Sequence, residues 1–92
     1  MKDIRDNKEL SRFEWCKDDC LATISYNVTT GGKVLELTHA FVPPPGRGKG
    51  IGHALVKEVL HEIKRTDRKI VPICPFIVQY IRENPEWKKI CV

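Results

Sequence analysis

A loop that combines glycine with basic residues is the stretch of this sequence best suited to chemistry. Gly48, Gly50 and Gly52 occupy alternate positions, so the backbone is accessible there and can adopt dihedral angles that other residues resist. Arg47 and Lys49 add positive charge beside them. A helix is predicted to follow the loop, and the first backbone N–H groups of a helix have no intrahelical acceptor. Together these features predict a site for a phosphate group.

Two common phosphate-binding motifs do not fit this loop. The dinucleotide fingerprint requires the spacing G-x-G-x-x-G and an acidic residue about 20 residues later. A Walker A loop requires Gly-Lys followed by Ser or Thr, which is missing here. The alternative to a phosphate site is a helix N-terminus with a flexible glycine entry and no ligand.

The cysteines and histidines of the chain are not spaced as metal ligands. Cys16-x-x-x-Cys20 has no matching downstream pair of Cys or His at a zinc-like spacing, so no metal site is predicted. These two cysteines are expected to flank a turn. No feature argues for an oxidising compartment, so disulfides are not expected either.

Length and composition predict one domain spanning residues 1–92, with 41% hydrophobic and 30% charged residues. No apolar run approaches the roughly 20 residues of a membrane span, and the charged start is unlike a secretory signal. A cytoplasmic protein without a membrane partner is therefore expected. The net charge of +4, with basic residues grouped at the loop and over residues 64–69, indicates an anionic partner. Nucleic acid is disfavoured because aromatic and basic residues do not interleave along a predicted strand.

The first half of the chain is predicted to form antiparallel strands. Residues 1–10 show no clear period and are expected to be a frayed start or a short edge strand. Alternating apolar residues predict strands over residues 12–16, 20–28 and 33–42. The glycine-containing turn at residues 29–32 should join the last two as a hairpin. One face of the third strand is expected to carry Leu35, Leu37, His39 and Phe41.

The second half is predicted to contain a crossover. An amphipathic helix is expected from about residue 50 to residue 65, then a strand over residues 69–73, then a second helix that starts near Pro75 and stops at residues 84–85. A strand, helix and strand in succession imply a parallel pair. The predicted fold class is α/β or α+β: a mixed sheet with antiparallel N-terminal strands, a β-α-β crossover and a C-terminal helix.

The pattern Arg47-x-x-Gly50-x-Gly52, placed after a strand and at the start of a helix, resembles the acyl-CoA pyrophosphate loop of the GNAT (N-acetyltransferase) superfamily. Residues 74–87, CPFIVQYIRENPEW, are similar to a short stand-alone branch of that superfamily, which carries a Cys-Pro-Phe segment. The resemblance covers roughly residues 20–90. It implies a minimal GNAT-like domain that binds acetyl-CoA or CoA as co-substrate, without a metal.

The strand before the loop matches the same branch in part. His39 matches the first residue of a His-Thr pair, and Ala40 replaces the threonine. Phe41 stands where many relatives carry glutamate, so a carboxylate base is absent at that position. The resemblance implies that backbone N–H groups of residues 48–53 hold the pyrophosphate. The residues expected to bind acetyl-CoA are Phe41, Val42, Arg47, Gly48, Lys49, Gly50, Ile51, Gly52, His53, Cys74 and Tyr80.

Three side chains are candidates for catalysis. Tyr80 sits where many GNAT enzymes place a tyrosine that protonates the departing CoA thiolate; the alternative is a core tyrosine with its hydroxyl bonded to an inert partner. Cys74 could form an acyl-cysteine, line the acyl-CoA site, or be an inert core residue. His39 could deprotonate an ammonium acceptor, although a buried structural histidine is the favoured interpretation.

The resulting prediction is an acetyl-CoA-dependent N-acetyltransferase in which an amine attacks the thioester directly in a ternary complex. The acceptor amine, a small molecule or a protein, is left open. The alternative is a non-catalytic CoA- or acyl-CoA-binding module, or a subunit of a partner protein. That alternative is favoured by the short stretch before the central hairpin, since full-length GNAT enzymes build much of their acceptor site from elements there.

Overall fold

A mixed sheet in the strand order β1-β2-β3-β4-β5 forms the framework of the protein, and two helices pack against it. The computed structural model describes residues 4–17 and 19–92. The strands are β1 (Arg5–Asn7), β2 (Arg12–Lys17), β3 (Cys20–Thr29), β4 (Val34–Phe41) and β5 (Lys69–Pro72), and the helices are α1 (Ile51–Arg65) and α2 (Pro75–Glu83). Short 3₁₀ segments cover Thr30–Gly32, Pro44–Gly46 and Pro85–Ile90.

The antiparallel half of the sheet follows the predicted alternation. β1 pairs with β2, β2 with β3 and β3 with β4, all antiparallel, which confirms the edge strand and the hairpin. Lys17 pairs with Cys20 at the predicted turn, of which Asp18 lies outside the described residues. Alternate residues of β3 are buried from Cys20 to Tyr26, but Val28, next in the alternation, is exposed.

A β-bulge interrupts β4. Ser25 pairs with His39 and Tyr26 with Leu37, so Thr38 is an extra residue on this strand. The Thr38 hydroxyl donates a hydrogen bond to the Ser25 carbonyl oxygen at 3.2 Å. The bulge is therefore tied to β3 by a side chain as well as by the strand pairing around it.

After the bulge, the side chains of β4 exchange faces. Ala40 and Val42 pack against the core, whereas His39 and Phe41 are exposed. The prediction of a face shared with Leu37 is therefore wrong for His39 and Phe41, and so is the interpretation of His39 as a buried structural histidine. The physical reason is the extra residue, because side chains alternate with a period of two and one insertion reverses every later position.

The crossover has the predicted form. α1 connects β4 to β5, and the two strands pair in parallel. α2 begins at Pro75, where a missing backbone N–H costs nothing because the first turn has no intrahelical acceptor for it. The stripe of α1 that faces the sheet consists of Ile51, Leu55, Val56, Val59, Leu60 and Ile63, all buried.

Both helices lie on one face of the sheet. They contact each other, and their buried residues join those of the strands in one cluster. Trp87 and Ile90 of the C-terminal segment belong to the same cluster. The opposite face of the central strands carries exposed side chains, among them Leu21 and His39. The predicted fold class is confirmed. Among the described residues, no helix is both long and apolar enough to cross a bilayer.

A buried tyrosine predicts how stability falls at alkaline pH. Burial, and then a hydrogen bond from the hydroxyl to Asp6, raise the pKa of Tyr26 from 10.0 to about 12. A raised folded-state pKa gives stability that is complete below the unfolded value and is lost as pH rises from about 10 to about 12. We expect the parent to lose on the order of 2 kcal/mol more than Tyr26→Phe over that range, measured by urea unfolding. Parallel curves for the two proteins would contradict this.

Candidate functional site

The parallel strands β4 and β5 diverge directly after their last paired residues. Their parallel pairing ends at Leu37 and Pro72. The next two amides of the chain, those of Ile73 and Cys74, both donate to the Leu37 carbonyl oxygen at 3.0 Å. β4 continues beyond this point, paired with β3 alone. Its edge toward β5 is therefore open over residues 38–41, and backbone groups on that edge are available to a ligand.

A groove of about 460 Å³ lies next to the end of β4, between the loop at the start of α1 and the first turn of α2. This volume is within the range of small-molecule sites. The groove is on the helix-covered side of the sheet, because Ala40 and Val42 both line it and both pack on the core. The full lining is Ala40, Val42, Gly46, Arg47, Gly48, Gly50, Ile51, Gly52, His53 and Phe76.

The N-terminus of α1 contributes hydrogen-bond donors to this groove. Gly50 is the N-cap residue and has left-handed backbone angles (φ 74°, ψ 8°), which glycine adopts without strain. No side chain among residues 4–17 and 19–92 caps the helix, and its first backbone hydrogen bond runs from the Ala54 N–H to the Gly50 carbonyl oxygen. The amides of residues 51–53 therefore have no acceptor within the helix. Such an end favours an anion.

Arg47 is fixed at the wall of the groove. Its Nε donates to the Val42 carbonyl oxygen at 2.9 Å, and its guanidinium lies 5.7 Å from the centre of the Phe41 ring. Its two terminal nitrogens form no hydrogen bond with any residue that the structure describes. The positive charge is thus held in place by one nitrogen and the ring, and the other donors are available to an anion.

The structure brings most of the predicted acetyl-CoA residues together and leaves some apart. The predicted residues that line the groove are Val42, Arg47, Gly48, Gly50, Ile51, Gly52 and His53. The predicted residues outside its lining are Phe41, Lys49, Cys74 and Tyr80. Lys49 is exposed and Phe41 is 49% exposed. Most residues of the predicted loop thus line one groove, whereas none of the candidate catalytic side chains, His39, Cys74 and Tyr80, belongs to its lining.

Three groove residues were missed by sequence reasoning. Ala40 reaches the groove only because the bulge reverses its direction, and the sequence carries no signal for that. Gly46 is buried and closely surrounded. Phe76 belongs to the Cys-Pro-Phe segment, and its ring would lie 3.1 Å from a Cβ placed on Gly52. The position of Phe76 beside the glycine pattern could have been proposed from the resemblance.

Tyr80 lies behind the groove. It is buried, and its ring centre is 6.0 Å from that of His53, which lines the groove. Tyr80 itself lines a second cavity on the far side, together with Trp87. Burial raises the pKa of Tyr80, a hydrogen bond with the Trp87 side chain lowers it, and the charges of Glu86 and Glu58 raise it; the net shift is upward. The hydroxyl therefore stays protonated throughout the physiological range.

Cys74 lies where the strands have just parted. It is 8% exposed and is the N-cap residue of α2, without a side-chain capping bond. Its backbone is well anchored, since its N–H donates to Leu37 and its carbonyl oxygen accepts from Ile77 and Val78. The four cysteines of the chain are free thiols. Within the part of the chain that the structure describes, no three His, Cys, Asp or Glu side chains are grouped to hold a metal ion.

His39 and the groove lie on opposite sides of the end of β4. Ala40 points toward the helices and lines the groove, whereas its neighbour His39 is exposed on the other face. The imidazole is therefore accessible to a molecule that approaches the sheet from the side without helices. A reaction between one molecule in the groove and another at His39 would take place across the open edge of β4.

The packing around Gly46 predicts a stability effect at the groove. A Cβ there would lie 3.0 Å from Ile51 Cδ1, 3.1 Å from Cys20 Sγ and 3.2 Å from Val42 Cγ1, so Gly46→Ala overpacks the core. We expect a loss of about 2 kcal/mol in the free energy of unfolding. Gly31→Ala is the matched control, because Gly31 has open space around it and costs only about 1 kcal/mol for its positive φ. Urea unfolding measures both; an equal or smaller loss for Gly46→Ala would contradict the prediction.

The sequence and the fold of this chain are similar to those of known proteins. Residues 12–90 match the family model described as GCN5-related N-acetyl-transferase. Protein NATD1 of Mus musculus is 32% identical over 82 residues, covering 88% of this chain and 72% of that protein. Protein NATD1 of Homo sapiens is 31% identical over 83 residues, covering 90% and 71%. The solution NMR structure of a GCN5-like protein from Staphylococcus aureus superposes with a TM-score of 0.68 at 20% identity, covering 98% of this chain and 87% of that one.

Proposed function

Because the chain belongs to the GCN5-related N-acetyl-transferase family, we propose that it transfers an acetyl group from acetyl-CoA to an amine by direct attack in a ternary complex. The observation that carries the proposal is the groove at the N-terminus of α1, where uncapped amides and Arg47 lie next to the open edge of β4. That combination suits a long ligand with a diphosphate at one end and an amide-containing arm at the other.

The diphosphate is proposed to bind the amides of residues 51–53 and the terminal nitrogens of Arg47. Charge-assisted hydrogen bonds of this kind are roughly twice as strong as neutral ones. Lys49, exposed on the same loop, adds positive charge without belonging to the groove. Glycine at positions 48, 50 and 52 keeps side chains out of the space that the phosphates would fill.

The pantetheine arm is proposed to run along β4 over residues 38–41. Its amide groups resemble a peptide, and the open edge offers the N–H and C=O groups that β5 leaves unpaired. The thioester would then lie near Leu37 and Cys74, where the two strands diverge. Holding the thioester in one orientation beside an amine is the largest contribution we assign to the protein.

The acceptor amine is proposed to approach from the face without helices. His39 is exposed there, and an imidazole or a water molecule beside it can take the proton that the ammonium must lose before attack. Tyr80 is the proposed general acid for the departing thiolate, supported by its raised pKa and by its contact with the groove residue His53. Cys74 is proposed to line the thioester site rather than to form an acyl-enzyme.

A CoA-binding module without catalysis is the second candidate. It is favoured by the groove lining, in which none of the described residues is a carboxylate that could serve as base. A reducing intracellular compartment such as the cytoplasm is proposed for either function, which the four free thiols suit.

Two measurements test these proposals in order. CoA at ten times its dissociation constant is expected to add about 1.4 kcal/mol to the free energy of unfolding, which raises the melting temperature by roughly five degrees or more. An unchanged melting temperature would contradict both candidates. Thiol release from acetyl-CoA over a panel of amines then separates them: turnover above background supports the enzyme, and binding without turnover for any amine supports the module.

A further inference from the structure

A second cavity of about 300 Å³ lies at the other end of α1, between that helix and the C-terminal segment. Its walls combine basic side chains with aromatic ones. The groups that matter are Lys57, His61, Lys64, Tyr80, Trp87 and Lys89. None of them lines the groove described above. The two linings share no residue but are neighbours: His53 of the groove is one helical turn, about 6 Å, from Lys57. The ring centres of His53 and Tyr80 are 6.0 Å apart.

The positive charges of this cavity are gathered by helix periodicity and by the final 3₁₀ segment. Lys57, His61 and Lys64 follow one another at intervals of four and three residues, which places them on one face of α1. Lys89 approaches the same face from the segment Pro85–Ile90. Among the described lining residues, Glu86 is the one carboxylate, so the cavity has an excess of two positive charges with His61 neutral.

Two of these ammonium groups, those of Lys64 and Lys89, line the same cavity from different elements. The pKa of Lys64 is lowered, first because the Lys89 side chain is within hydrogen-bonding reach and then by the repulsion between the two charges. Lys69 lies outside this lining, and its Nζ donates to the Lys89 carbonyl oxygen at 3.1 Å, which ties the backbone of residue 89 to β5. Like charges held this close are unfavourable unless an anion lies between them.

We propose that this second cavity is a binding site for a small oxyanion carrying two negative charges, of the phosphate monoester class. Lys64 and Lys89 are the principal ligands, and Lys57 and His61 are the additional donors along the helix. The Trp87 indole, in edge contact with the His61 ring at 4.8 Å between ring centres, forms the apolar wall on which the organic part of such a ligand can lie. Tyr80, the proposed general acid, also lines this cavity, but the ligands proposed here have no role in acetyl transfer. Phosphate binding is measured without acetyl-CoA, so it succeeds or fails separately from the proposed function.

The test is a titration of the ¹⁵N-labelled protein with inorganic phosphate at constant ionic strength, followed by amide chemical shifts. We expect saturable shifts grouped at residues 57–64 and 84–90. Lys89→Gln and Lys64→Gln should each weaken phosphate binding about ten-fold, the loss of one charge-assisted hydrogen bond. Lys8→Gln removes the same charge from an exposed position outside the cavity and should leave the affinity unchanged.

Several outcomes would overturn the proposal. Shifts that grow linearly without saturation, or equal weakening in Lys8→Gln, would show a general ionic effect. Shifts confined to residues 46–53 would place the anion in the groove instead. The melting temperatures of Lys64→Gln and Lys89→Gln without phosphate show whether the variants are folded. Because each substitution removes one of two repelling charges, these melting temperatures should be equal to that of the parent or higher. A melting temperature lowered by both substitutions would also count against the site.

Discussion

Replacing Tyr80 with phenylalanine is expected to lower kcat for acetyl transfer roughly 100-fold, with little change in KM for acetyl-CoA. The hydroxyl is proposed to act on the departing thiolate, so its loss affects the transition state and not the bound ground state. The pKa of Tyr80 is raised above the ordinary tyrosine value of 10.0, so the hydroxyl stays protonated and the parent should retain this contribution throughout the range from about pH 7 to pH 10. Steady-state thiol release between about pH 7 and pH 10 measures both effects.

The control for this substitution is Tyr26→Phe. Tyr26 is another buried tyrosine with a hydrogen-bonded hydroxyl, but its partner is Asp6 and it lies outside the groove. We expect its kcat to stay within a few-fold of the parent. The kcat of Cys74→Ala should also stay within a few-fold of the parent if the amine attacks the thioester directly. An unchanged kcat in Tyr80→Phe would show that the hydroxyl is structural and serves only its hydrogen bond with Trp87. A large loss of kcat in Cys74→Ala would indicate an acyl-cysteine intermediate instead of direct transfer.

The substitution Gly48→Asp places a carboxylate in the loop and is expected to weaken CoA binding about 30-fold. Gly48 lines the groove and has φ 78°, and no heavy atom of the described residues lies within 4 Å of the point that a Cβ would occupy. A short side chain therefore has space at the edge of the groove. Repulsion between unit charges about 5 Å apart is ~3 kcal/mol at an effective dielectric of 20, and solvent around the exposed loop reduces it to about 2 kcal/mol. Isothermal titration with CoA at low salt measures the effect.

Gly48→Asn isolates the charge from the shape. Asparagine and aspartate have nearly the same size, and both tolerate the left-handed backbone region that this position requires. We expect Asn to weaken CoA binding only a few-fold. Added salt should narrow the gap between the two variants, because screening acts on the charge alone. Equal affinities for Asp and Asn would show that no diphosphate lies near this loop.

The loop and the helix that follows it were predictable from the sequence because their causes are local. Gly50 adopts a positive φ that glycine alone accepts freely, and the apolar stripe of α1 repeats with the helical period. Pro75 likewise marks the start of α2 by its own chemistry. Each of these signals lies within a few residues of the feature it predicts, so no knowledge of the tertiary structure is needed.

The bulge and the end of the parallel pairing could not be predicted because they depend on contacts between strands that are distant in the sequence. Leu35, Leu37, His39 and Phe41 alternate without interruption, and nothing in that run marks Thr38 as the extra residue. Its position depends on how Ser25 and Tyr26 pair across the sheet. For that reason, sequence reasoning placed His39 in the core and missed Ala40 in the groove.

The extra residue at Thr38 divides β4 into two parts with different packing constraints. Substitutions at Leu35 and Leu37 must preserve core volume. The side chain of His39 is exposed, and the ring of Phe41 meets solvent and the Arg47 guanidinium. A combinatorial library randomised at the two outer positions should therefore yield many folded members. Screening such a library would test the proposal that the acceptor approaches this surface, without first stabilising the scaffold.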